Sequence, residues 1–138
     1  MIVPFGFVRC FQAHCPLKEK CLRYYVAQNE ETDAPSLSIV NPRLIPEDAS
    51  KCPHFYPIQI RRVAWGVKHL FDEVPAKQLY SLKKQVISHI GRTRYYRCYR
   101  MEQGLLPDDQ QFIAAAFKKY GLEATPCYER FTEEFDWP

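Results

Sequence analysis

The sequence predicts a mainly α protein, a helical bundle preceded by a small, cysteine-tied, loop-rich module. Three observations carry this expectation. From Ile58 onward, apolar residues recur at the three- and four-residue spacing of one helix face. Cys10, Cys15, Cys21 and Cys52 lie ahead of that region. Between Gln28 and Ser50 the chain turns to Asn, Glu, Asp, Ser and Pro, with Pro35, Pro42 and Pro46 interrupting any long element. The expected layout is therefore a cysteine-rich module over 1–57, a helical domain over 58–122 and an acidic, aromatic tail over 123–138.

The helical elements follow from their own residues. Arg61 to Glu73 places Val63, Val67, Leu70 and Phe71 at helical spacing. Ala76 to Ile90 does the same with Leu79, Leu82, Val86 and Ile90, and is bounded by Pro75 and Gly91. Thr93 is positioned to cap a further helix that Gly104 would end, roughly three turns long. A last helix runs from Asp108 to Tyr120 through Phe112, Ile113, Ala116 and Phe117. Pro107 starts it, Asp108 and Asp109 suit its positive end, and Gly121 closes it. In the front module, residues from Leu22 to Ala27 can begin a short helix, and Ser36 to Val40 alternates as a strand does.

With 138 residues, 46% apolar and 25% charged, the chain has enough material for a real core. It has no apolar run long enough to span a bilayer, and its start lacks the pattern of a secretion signal, so the expectation is a cytoplasmic protein with no membrane partner. Six cysteines in a reducing compartment point to metal ligation or buried thiols before disulfides. The net charge of +3 conceals a segregation. Residues 1–57 carry six basic and six acidic side chains, 58–122 twelve and five, and 123–138 one and five. From Val74 to Met101 there are seven Lys or Arg and no Asp or Glu. Such a field attracts polyanions.

Two groups of residues carry candidate chemistry. The first is Cys10-x4-Cys15-x5-Cys21-x30-Cys52. Local thiolates closed by one from a distant segment suit a tetrahedral structural Zn2+, which is the first expectation. Cys52 is followed by Pro53, as cysteines of iron–sulfur proteins often are, so a cluster is the alternative and unliganded thiols a third reading. Cys98 and Cys127 lie outside the pattern. The second group is the basic helix. Tyr95 and Cys98 share one face and can pack, while Arg94, Arg97 and Arg100 point elsewhere.

The order of helices over about residues 60–122, with Gly91 and Gly104 punctuating it, resembles the helix-turn-helix domains of the lambda-repressor and Cro type. That resemblance implies a recognition helix from Thr93 to Gln103. Arg92, Arg94, Tyr95, Tyr96, Arg97 and Arg100 would then contact nucleic acid, with double-stranded DNA expected first, because the guanidinium fork pairs with guanine edges or phosphate. The expected function is a small regulatory nucleic-acid-binding protein with a structural zinc site. The alternatives are an adaptor whose basic face docks on an acidic protein partner, and a face that is merely solvated.

The cysteine-rich front, the Arg94-Tyr95-Tyr96-Arg97 stretch, Gln110 or Gln111 with Ile113 and Phe117 on one helix, and the end Phe135-Asp136-Trp137 together resemble an uncharacterised family of small bacterial proteins. That likeness implies no activity. His14, His54, His69 and His89 are scattered, and no phosphate loop, nucleophile elbow or carboxylate pair is visible, so no enzyme is expected. The tail is too aromatic, with Tyr128, Phe131, Phe135 and Trp137, to stay solvated, and is expected to dock either as part of a core or as an autoinhibitory segment over the basic helices.

Overall fold

A computed structural model describes residues 1–138. It contains two compact units, one of residues 60–134 and one of residues 1–59 with 135–138, so the chain passes between them twice.

In the first of these, β1 (Ile60–Trp65) lies where the sequence predicted the first helix of the bundle. Its antiparallel partner is β2 (Arg130–Phe135), with the Glu129 N–H donating to the Trp65 carbonyl at 2.9 Å. Ala64 and Leu105 exchange both of their backbone hydrogen bonds, at 3.0 and 2.7 Å. The strand stops at Gly66, whose φ of +85° favours glycine and whose missing Cβ would lie 2.6 Å from Glu129 Cγ. Beyond it, Val67 to Val74 descends in successive turns, with the N–H groups of Leu70, Asp72 and Val74 donating three residues back. The helical spacing of Val63, Val67, Leu70 and Phe71 is thus met by a strand followed by turns. The partners that make it a strand lie some forty and seventy residues away, beyond the reach of local periodicity.

Three helices complete this unit: α2 (Ala76–Ile90), α3 (Arg92–Tyr99) and α4 (Pro107–Lys119). α2 and α4 keep the limits that Pro75, Gly91, Pro107 and Gly121 set. At the end of α4 the Gly121 and Leu122 N–H groups donate to the Lys118 and Phe117 carbonyls at 2.9 and 3.1 Å, closing a Schellman turn on a glycine at φ +69°. α3 is shorter than predicted and begins earlier. Gly91, at φ +92°, occupies the N-cap, so Thr93 lies inside the helix and caps nothing. Its C-terminal Schellman turn runs through Met101 at φ +62°, with Met101 donating to Cys98 at 3.1 Å and Glu102 to Arg97 at 2.9 Å. Gly104 has another task. The backbone there passes so close to β1 that a Cβ would strike Val63 and sit 3.1 Å from Trp65.

The core of this unit gathers Ala64, Val67, Leu70 and Val74 with Leu82, Val86, Ile90, Tyr95, Cys98, Leu105, Ile113, Ala116 and Phe117. The second unit is built differently. α1 (Leu22–Asn29) buries Leu22 and Val26 against Phe7, with Val3, Tyr56, Ile58, Phe135 and Trp137 around them. The rings of Phe7 and Trp137 meet edge to face at 5.1 Å. The rest is loops and 3-10 turns at Lys18–Lys20, Pro42–Leu44 and Ala49–Lys51. Ser36 to Val40 forms no strand; only a parallel bridge between Ile39 and Arg9 forms, through the Arg9 N–H to Ser38 at 2.9 Å and the Val40 N–H to Arg9 at 2.8 Å. Arg9 is 7% exposed and donates twice to the Glu30 carboxylate, at 2.7 and 2.6 Å.

The fold is therefore mixed α and β, with 38% of residues helical, and not the mainly α bundle expected from the sequence. The helix-turn-helix expectation goes with it. Its first helix is a strand, and α2 and α3 are joined by Gly91 alone, where that motif uses a turn of three or four residues. No helix is long and apolar enough to cross a membrane.

Candidate functional site

The cationic region is the outer surface of α2 and α3. Helical spacing brings Tyr80, Lys84 and Ser88 into one stripe of α2, with Lys83 and Ile87 beside it. Gly91 then turns the chain so that Arg92 and Tyr96 of α3 line the same shallow groove, about 260 Å3 in volume. Tyr80 is 76% exposed and Tyr96 39%. The Arg92 guanidinium lies 6.0 Å from the Tyr96 ring centre, within reach of a cation–π contact.

The six residues expected to contact nucleic acid separate by their surroundings. Arg92, Tyr96 and Arg97 are exposed. Tyr95 is 3% exposed, and burial pushes its phenol up to about 12, so it belongs to the core and is withdrawn as a contact residue. The three-residue spacing that pairs it with Cys98 is the signal that it packs. Arg94 donates to the Asp109 carboxylate at 2.6 Å, and His89 stands 3.4 Å from the other oxygen, so Arg94 ties α3 to the one buried residue in the first turn of α4. Arg100 is turned onto Glu102 at 2.9 and 3.3 Å, an exposed pair that holds Glu102 below the usual carboxylate range. Lys77, Lys83, Lys84, Arg92 and Arg97 make no ion pair. Tyr80, Lys83 and Lys84 were not among the residues expected from sequence. Their signal was the exposed stripe of α2, which a search confined to a recognition helix passes over.

The second candidate lies in the unit of residues 1–59 and 135–138. Cys10, Cys15, Cys21 and Cys52 all line one cavity of about 330 Å3, whose walls include Leu17, Val40, Ile45, Ala49 and Phe55. Burial pushes the Cys10 thiol up, and charge on Cys21, Cys15 or Cys52 would push it further, which places the other three near it. Three chain segments are stitched together around this cavity. The Arg23 guanidinium donates to Val8, two residues before Cys10, at 2.9 Å, and to His54, two residues after Cys52, at 2.7 Å. The Cys10 N–H donates to the Arg23 carbonyl at 3.2 Å, the Leu22 N–H to Tyr56 at 2.7 Å, and the Ile58 N–H to Lys20 at 3.1 Å. The thiols nevertheless do not close on one point. No three His, Cys, Asp or Glu side chains are arranged to hold a metal ion directly. Cys98 is buried in the core of the other unit and Cys127 is exposed.

The arrangement defines a two-unit α/β protein with a cationic, tyrosine-bearing helix face and a four-thiol cavity. The chain belongs to a family of proteins of unknown function, DUF6078, which matches residues 1–137. No curated protein and no solved structure matches it.

Proposed function

We propose that this is a nucleic-acid-binding protein whose contact surface is the α2–α3 face. The observation that carries the reading is the coincidence, on one surface, of cations without carboxylate partners and exposed tyrosine rings. Lys83, Lys84 and Arg92 supply charge to phosphates, while Tyr80 and Tyr96 offer rings to sugars and bases. Because most of these contacts fall on the backbone, affinity is sequence-tolerant and falls steeply with salt.

Fluorescence anisotropy with a random duplex and a single strand of equal length tests this. If about three phosphates are neutralised, the logarithm of the association constant falls with that of salt concentration at a slope of about −3 for the duplex. Lys83→Ala, Lys84→Ala and Arg92→Ala combined should abolish most of the binding. Tyr80→Ala should cost about 1–3 kcal/mol on the single strand and less on the duplex. Equal retention of both probes by wild type and the triple variant removes nucleic acid as the ligand. If wild type binds an acidic polypeptide more tightly than either probe, the face serves a protein partner.

A further inference from the structure

Four cysteines around one cavity pose a question of size. Zinc holds sulfur at about 2.3 Å, so four thiolates on one zinc ion converge until no space is left between them beyond the ion itself. Here the same four side chains are among those that line a partly open cavity of about 330 Å3, and no three of them converge on a point that could hold an ion. The segments carrying them are fixed by backbone hydrogen bonds and by Arg23, which spans from Val8 to His54, so drawing all four thiols onto one ion would work against those ties.

We propose that Cys10, Cys15, Cys21 and Cys52 hold an iron–sulfur cluster of the four-iron type. Such a cluster interposes iron and sulfide between its thiolates and so takes ligands that stand apart around a cavity. The surroundings suit it. Leu17, Val40, Ile45, Ala49 and Phe55 give an apolar wall that limits access of water. Lys18 and Arg23 also line the cavity, against the one carboxylate of Glu47, and offset part of the negative charge of four thiolates. Pro53 after Cys52 denies a backbone N–H to that turn and fixes its φ. On assembly, four S–H bonds are replaced by four Fe–S bonds and the protons pass to solvent, while two ferrous ions, two ferric ions and four sulfides are supplied from outside the chain, so that the oxidised cluster forms with no change of oxidation state. This inference is independent of the nucleic-acid reading, since it concerns residues of the other unit.

The test uses the full chain, purified without oxygen and reconstituted with equal amounts of ferrous and ferric iron and with sulfide. About four iron and about four sulfide per chain are expected, with a broad visible absorption that bleaches on reduction. Cys21→Ser and Cys52→Ser should each lose at least half of the iron, and Cys127→Ser should lose none. Should a serine variant fail to fold, the metal and sulfide content of the wild-type chain still decides. A single tightly held zinc without sulfide overturns the proposal, and so does a reconstituted chain that retains neither metal.

Discussion

The two units solve the same problem with different means. Residues 60–134 close over thirteen buried side chains drawn from one strand, a turn region, three helices and Leu105 in the link between α3 and α4. Residues 1–59 with 135–138 bury only six apolar side chains, of which Phe7, Leu22 and Val26 form one cluster, and otherwise rely on hydrogen-bonded turns, the Arg9–Glu30 pair and the Arg23 staple. A unit of that size with so little apolar burial needs support from cross-links, metals or buried polar ties. The difference shows where each kind of functional feature can stand. A surface on helices needs a firm core beneath it, and the α2–α3 face has one. A cavity for a large inorganic ligand needs loops that the ligand itself can help to hold, and those are what surround the four thiols.

The largest effect is expected in the core of residues 60–134. Ile113 is fully buried, and Ile113→Ala should cost about 2–5 kcal/mol. Hydrogen exchange read residue by residue should show protection lost over 60–134 and kept over 1–59. Equal loss in both would mean that the two units unfold as one cooperative body.

A smaller effect sharpens the contrast from the other side. Hydrogen bonding from Arg9 holds the Glu30 carboxyl below its ordinary range. A carboxylate whose folded value is depressed stabilises the fold fully above its unfolded value, and that contribution is lost as pH falls through the folded one. Acidification should therefore loosen the unit of residues 1–59 as Glu30 takes up its proton. Glu30→Gln should lower stability at neutral pH by about 1–3 kcal/mol and flatten this acid response. An unchanged acid limb in the variant would show that other groups set it.

The smallest expected effect has the opposite sign. The Tyr128 hydroxyl is buried without a hydrogen-bond partner, and burial raises its pKa. Tyr128→Phe removes a polar atom that gains nothing in the folded state, so it should stabilise residues 60–134 by about 0.5–1 kcal/mol in a denaturant titration. A loss of stability instead would reveal a partner for that oxygen, an ordered water being the first to look for.

Elements whose signals are local were legible in the sequence. Pro75 and Gly91 bound α2, and Pro107 and Gly121 bound α4, because a proline ring and a positive φ act within a few residues. The sequence also singled out Cys10, Cys15, Cys21 and Cys52, which line one cavity, and the run of cations without carboxylates from Val74 to Met101. Long-range pairing makes Val63 and Ala64 part of a strand, since a strand exists through partners, and theirs are Leu105 and β2. The folded chain alone gave Gly104 its role as a point of close approach and showed that Met101, a residue no local rule favours there, carries the left-handed turn. The fate of each arginine was decided in the same way. Arg94 and Arg97 look alike in the sequence, yet Asp109 from another helix engages the first and leaves the second exposed, because charge pairing depends on distance in space rather than along the chain.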